Sequence, residues 1–174
     1  MSLQETLASL IRDVPDFPKP GIMFKDITPL LQNGGAFSAF SQHMADRYRD
    51  QAVTQIVGIE ARGFIFGAGV ATRMGLGLTL VSQPGKLPRK TNAQQYALEY
   101  GMDELQIHFD ALGPRDRVVI LDDVLATGGT AKAAIELVES TGATVVETAF
   151  LMELTFLEGR DRLGEAPCYS VLQY

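Results

Sequence analysis

Short apolar runs and amphipathic stretches follow one another along this chain, and the alternation predicts strands and helices in turn. Val118-Val119-Ile120-Leu121 is wholly β-branched and aliphatic, the pattern of a strand covered on both faces. Residues 55–59, 78–81, 143–154 and 168–172 are predicted as further strands. Helical spacing fills the gaps. Leu3, Leu7, Leu10 and Ile11 share a face of residues 2–11, with Ser2 and Glu5 set for a capping box. Phe37, Phe40, Met44 and Tyr48 line one side of residues 36–51, which leaves His43 off the stripe as a surface residue. Residues 64–74 form a helix stopped by Gly75, and Ala131, Ala134, Ile135 and Val138 give 131–140 its apolar face. A short helix is predicted at 156–163. Strands alternating with helices imply an α/β fold, a twisted and mostly parallel sheet flanked by helices. With no internal repeat or linker, residues 1–174 are expected to form one domain.

Two stretches do not fit that alternation. Residues 16–29 read Asp-Phe-Pro-Lys-Pro-Gly-Ile-Met-Phe-Lys-Asp-Ile-Thr-Pro. The prolines and glycine exclude a regular helix, yet the stretch is too apolar to be left in water. It is either a flap over the core or a hood, spanning about residues 1–35, over a flat apolar ligand. Residues 82–95 are polar and carry Lys86, Arg89 and Lys90, so they form either a solvated loop or a mobile lid. Residues 96–100 and 105–109 alternate apolar and polar around Gly101-Met102-Asp103, which reads as a hairpin arm for a lid of about 82–109. His108 falls on its polar, exposed face.

Candidate chemistry gathers where strands are expected to end. Asp122 and Asp123 close the 118–121 run, and Ala126-Thr127-Gly128-Gly129-Thr130 leads into the next helix. A loop of small residues lets backbone N–H groups turn toward an anion, and the helix start adds partial positive charge. The acids beside it suit sugar hydroxyls, a cation, or both. Arg62 opens another helix, against its dipole, so it wants an anionic partner: a ligand, Glu60 or another carboxylate. Composition narrows the field. At 174 residues and net charge -6, the chain is a poor candidate for coating nucleic acid. Cys168 is the single cysteine and excludes an internal disulfide; its place in a late apolar strand predicts inert packing. No basic, apolar leader and no run of membrane length occurs, so a cytoplasmic protein with no membrane partner is expected.

The 118–130 wording resembles the ribose-phosphate signature of the type I phosphoribosyltransferases and is especially similar to the adenine phosphoribosyltransferase family. Four other stretches resemble that family in the expected order: the hood Phe-Pro-x-Pro-Gly-x-x-Phe-x-Asp-Ile at 17–27, Ala-Arg-Gly-Phe at 61–64, Pro-Gly-Lys-Leu-Pro at 84–88 and Tyr-x-Leu-Glu-Tyr at 96–100. The ending Tyr-Ser-Val-Leu-Gln-Tyr is similar as well. The resemblance implies transfer of the 5-phosphoribosyl group from phosphoribosyl pyrophosphate to adenine, giving AMP and pyrophosphate, with Mg²⁺ carried by the substrate rather than by direct protein ligands. It implies that Asp122 and Asp123 hold the ribose and that Ala126, Thr127, Gly128, Gly129 and Thr130 hold the 5′-phosphate. Arg62 and Lys86 take the pyrophosphate, and the peptide of the Arg62 turn is often strained to aim its N–H at the ligand. Phe24 and Val124 stack on the two faces of adenine, and the backbone of Met23 and Lys25 reads its edge. Glu99 is the implied catalytic acid, brought in with Tyr100 by the lid. A homodimer is implied too. Lys25 stands where many relatives have Arg, and Ala61 where Ser is common. Ser82 and Gln83 stand where relatives carry basic residues, one of which reaches the neighbouring subunit; Arg89 or Lys90 is the candidate substitute. Two alternatives stay open: a relative using another purine, and a non-enzymatic sensor of phosphoribosyl pyrophosphate.

Replacing Glu99 with Ala is expected to lower turnover far more than substrate affinity. Steady-state turnover within a few-fold of wild type would remove Glu99 from the chemistry.

Overall fold

The computed structural model describes residues 1–98 and 100–174. In chain order its elements are α1 (Leu3–Ala8), β1 (Arg12–Pro15), β2 (Met23–Asp26), α2 (Thr28–Gln32), α3 (Gly34–Tyr48), β3 (Gln55–Ile59), α4 (Arg62–Met74) and β4 (Gly77–Val81). They continue with β5 (Thr91–Ala97), β6 (Met102–His108), β7 (Arg117–Leu125), α5 (Gly129–Ser140), β8 (Thr144–Glu153) and β9 (Cys168–Gln173). Five strands form the main sheet in the order β4-β3-β7-β8-β9, every neighbouring pair parallel. The expected α/β architecture is present.

β7 is the middle strand, and its composition follows from that position. Val119 and Leu121 pack into a core shared with α1, α3 and α4. Val118 and Ile120 point the other way, into a core shared with α5 and β6. Successive side chains of a strand leave opposite faces, so a strand covered on both sides must be apolar throughout. The first core is keyed by Phe40 and Phe66, both fully buried, with rings 5.0 Å apart and tilted 69°. α1 starts with the predicted capping box between Ser2 and Glu5, and α4 ends on Gly75 in the left-handed region.

Several elements differ from their predicted form. β7 does not stop at Leu121; it runs through both acids to Leu125, because β8 pairs with it as far as Glu153. The proline-rich stretch is not all loop. β1 and β2 form an antiparallel hairpin, and Pro29 sits in the first turn of α2, where a missing N–H costs nothing. β5 and β6 begin at Thr91 and Met102, earlier than their alternation suggested. Residues 155–163 form two 3₁₀ turns rather than one helix. His43 is half-buried, not a surface residue: its Nε2 lies 2.7 Å from the Tyr169 hydroxyl. His108 is also half-buried. The hairpin arm is tied in at its base. Leu105 and Ile107 are in the core, and buried Ser82 exchanges backbone hydrogen bonds of 2.9 and 2.8 Å with Gln106.

Phe66→Ala is expected to destabilise the fold by about 3–5 kcal/mol, the range for a buried aromatic truncated to a cavity. Urea denaturation measures this; a loss below about 1 kcal/mol would mean that the helices close over the gap.

Candidate active site

The turns after β3, β4 and β7 all leave the sheet at its carboxyl end, the edge where open α/β sheets take their ligands. A cavity of about 280 Å³ opens there, at the small end for ligand sites. Its walls are the Glu60–Arg62 turn, Gln83, Tyr96, Phe150 and residues 122–131.

Asp122 and Asp123 leave opposite faces of β7 at the cavity floor. Asp123 is buried, and the Arg62 guanidinium Nε donates to its Oδ2. Burial opposes the guanidinium's charge, but the charge and hydrogen bond of Asp123 outweigh it and raise the Arg62 pKa. The Asp123 N–H donates to Asp122 Oδ1 at 2.8 Å. That bond does not offset burial and the neighbouring Asp123 charge, which push the Asp122 carboxyl well above the usual carboxylate range. Gly63 makes the arrangement possible: a Cβ there would lie 2.6 Å from the Leu121 carbonyl oxygen. α4 therefore starts against the backbone of β7, which sets Arg62 beside the acids.

Residues 126–128 turn the chain from β7 into α5. Gly128 is the N-cap at φ +86° and has no side chain with which to cap the helix. The donors of its first turn are left to the cavity, with the positive end of the helix behind them. Nor could a side chain fit: a Cβ on Gly128 would strike the Gly159 carbonyl, and one on Gly159 the Ala126 carbonyl. The loop is thus braced from behind by the 3₁₀ turn at Gly159–Leu163, a contact that no local pattern in the sequence signals.

The Glu60–Ala61 peptide preceding Arg62 is cis. Glu60 faces the cavity and ties this turn to the chain after β4: Oε2 accepts the Gln83 N–H at 2.9 Å, and Oε1 lies 3.3 Å from Lys86 Nζ. The Gln83 N–H first, then Lys86, hold the Glu60 carboxyl below its ordinary value. Tyr96 is the cavity wall contributed by β5, and its hydroxyl donates to Asp103 Oδ2 at 3.2 Å. Neither Glu60 nor Tyr96 was among the expected site residues. Tyr96 stood within the Tyr-x-Leu-Glu-Tyr segment, but alternation alone does not say which aromatic faces inward.

The structure therefore brings together Arg62, Asp122, Asp123, Val124 and residues 126–130, while Lys86 reaches the site through Glu60. Met23, Phe24 and Lys25 are not in the cavity wall. Phe24 packs edge-on against Phe17 with centroids 5.0 Å apart, Met23 is 51% exposed, and Lys25 is paired with Asp13 at 2.6 Å and lies over the Tyr174 ring. Pro15, opposite Met23, has no N–H, and the Ile22 carbonyl already accepts from Phe17. Strand alternation then turns the backbone of Met23 and Lys25 to the unpaired edge of β2. Tyr100 is exposed, with the Lys19 ammonium 5.8 Å from its ring centre, so the hood meets the hairpin tip there. Glu99 lies outside the described residues. Among the described residues, no group of three or more His, Cys, Asp or Glu could hold a metal, and no helix is long and apolar enough to cross a membrane.

The chain is similar in sequence and fold to known proteins. The family described as "Phosphoribosyl transferase domain" matches residues 27–169. An adenine phosphoribosyltransferase of Roseiflexus sp. (strain RS-1) is 58% identical over 97% of this chain and 98% of its own length. The crystal structure of adenine phosphoribosyltransferase from Thermoanaerobacter pseudethanolicus superposes with a TM-score of 0.95 at 47% identity, covering 98% of this chain and 99% of that one. The Saccharomyces cerevisiae adenine phosphoribosyltransferase, crystallised with adenine and an imino-altritol bisphosphate, gives 0.91 at 39% identity, covering 97% and 98%. With its motifs, fold and full-length relatives in agreement, the chain belongs to the phosphoribosyltransferase family, among the adenine phosphoribosyltransferases.

Proposed function

We propose that the cavity at the end of β7 is where this enzyme joins adenine to an activated ribose phosphate. As a member of its family, the chain transfers the 5-phosphoribosyl group from phosphoribosyl pyrophosphate to adenine, giving AMP and pyrophosphate. The observation that carries the site assignment is the meeting of an uncapped helix start, a pair of acids and a paired arginine in one cavity.

The roles follow from the parts. Ala126, Thr127, Gly128, Gly129 and Thr130 take the 5′-phosphate on backbone N–H groups and two hydroxyls, which fixes the sugar before reaction. Asp122 and Asp123 accept the ribose hydroxyls and favour positive charge developing on the sugar as the C1–O bond to pyrophosphate breaks. Arg62 and Lys86 receive the departing pyrophosphate. Adenine lies between Val124 and Phe24, with the outward-facing backbone of Met23 and Lys25 at its edge. This places the hood over the cavity when the base is bound. Glu99, carried with Tyr100 on the hairpin, moves the proton on the base, and closure keeps water from the sugar. The hard oxygen ligands that Mg²⁺ prefers are present as Asp122 and Asp123, which would meet its water shell while the substrate holds it. The bound cation supplies positive charge to the pyrophosphate oxygens. Residues 1–174 act as one unit in this reading, since Leu7, Ile27 and Leu30 of the hood share a core with α3 and α4. A cytoplasmic homodimer is the setting we assign, on the resemblance to the family.

The direct test is pyrophosphate release with adenine, hypoxanthine, guanine or xanthine, with and without Mg²⁺. AMP formation with adenine alone, lost on chelation, is expected; equal turnover with another purine would move the base assignment. Gly128→Ala forces a left-handed, crowded backbone, a strain of about 1–3 kcal/mol. Ribose 5-phosphate, followed by calorimetry, is expected to bind at least about five-fold more weakly to that variant.

Asp122 also predicts a pH dependence. Its folded pKa lies above the unfolded value of 3.8, so the folded state holds the proton longer and stability falls as pH rises between the two values. Asp122→Asn is expected to raise the melting temperature at pH 8 and to change it less at pH 5, while activity drops. An unchanged or lowered midpoint at pH 8 would contradict the burial of that charge.

A further inference from the structure

We propose that Glu60 is an internal stand-in for pyrophosphate: its carboxylate holds Lys86 while the site is empty and takes it back as pyrophosphate leaves. The inference rests on the assignment of Lys86 to pyrophosphate.

Both cations assigned to that product sit on protein acids in this structure, Arg62 on Asp123 and Lys86 on Glu60. An entering polyanion competes with those carboxylates for both cations. The two members of the Lys86–Glu60 pair differ in how easily they move. Glu60 follows β3 directly, and its N–H donates to the Val81 carbonyl at 2.9 Å. Its side chain is only 15% exposed and is held by the Gln83 N–H at 2.9 Å. Lys86 is 59% exposed on a long flexible stem, with Glu60 at 3.3 Å. When pyrophosphate arrives, the lysine moves and the carboxylate stays. Glu60 lines the cavity two residues from Arg62 and keeps its charge beside the bound anion. It therefore repels the product and competes for Lys86, and both effects favour release. An enzyme that liberates a tightly chelating polyanion on every turnover gains from such a competitor, because product release often limits turnover.

The pair is partly exposed, so its competition is modest, about two- to five-fold in affinity. Glu60→Gln keeps the shape and an acceptor for the Gln83 N–H but removes the charge. Calorimetric titration of the full chain with Mg²⁺-pyrophosphate, and stopped-flow measurement of its dissociation, are the readouts. Binding about two- to five-fold tighter, with slower dissociation and an unchanged kcat/KM for adenine, is expected. Unchanged or weaker binding overturns the proposal. Glu60→Asp retains the charge and should bind pyrophosphate no more tightly than wild type; tightening equal to that of Glu60→Gln would assign the effect to shape and also overturn it. Lys86→Met tests the underlying assignment separately. If it binds pyrophosphate as wild type does, that assignment fails. If it weakens binding, Glu60→Gln added to it should tighten binding less than it does in the wild-type background, and full additivity would sink the competition for Lys86.

Discussion

Two carboxylates on adjacent residues of a buried strand are a standing cost, and the site is arranged around meeting it. Asp123 is buried and would be untenable without the Arg62 guanidinium. Among the described residues Asp122 accepts a hydrogen bond only from the Asp123 N–H. Burial, with the Asp123 charge, outweighs that bond and the nearby Arg62 and raises its pKa. A ligand that brings hydroxyls to these acids, and an anion to Arg62, supplies partners that suit their charges. Binding and function are in that sense one electrostatic problem.

The scaffold makes the problem solvable by bringing backbones unusually close. Gly63 lets the start of α4 lie against β7, and Gly128 lets the turn into α5 lie against Gly159. The first contact sets the cation beside the acids. The second leaves the amide donors of a helix start open to the cavity, with a second backbone behind them. Between these glycine contacts, the strand interior is apolar on both faces, with Val119 and Leu121 in one core and Val118 and Ile120 in the other.

Around this centre the hood and the hairpin are held more lightly. Each is a two-stranded antiparallel ribbon attached to the core at its base, by Ile27 and Leu30 for one and Leu105 and Ile107 for the other. Their outer parts carry exposed apolar side chains, among them Phe17, Met23, Leu98 and Tyr100. Glu60 joins the two regimes, since it is fixed by the sheet yet grips the chain that leads into the hairpin.

Much of this was legible in the residues themselves. Period-2 and period-3.6 patterns report burial directly, so β3, β7, α4 and α5 could be placed from local sequence, and the small-residue turn after the acids announced an anion site. Local pattern could not say that β7 continues through its acids, because only the partner strand β8 extends the pairing to Leu125. It could not turn a proline-rich stretch into a hairpin, whose strands form by mutual pairing rather than by propensity. It misjudged His43, whose partner Tyr169 lies at the far end of the chain. Glu60, Tyr96 and Gly159 were passed over for the same reason: each acts through a residue distant in sequence, and only folding brings the two together. The sequence determined the kind of chemistry, through residue types and their short-range order. Tertiary structure alone decided which charges meet, because ion pairs and backbone contacts depend on distance in space.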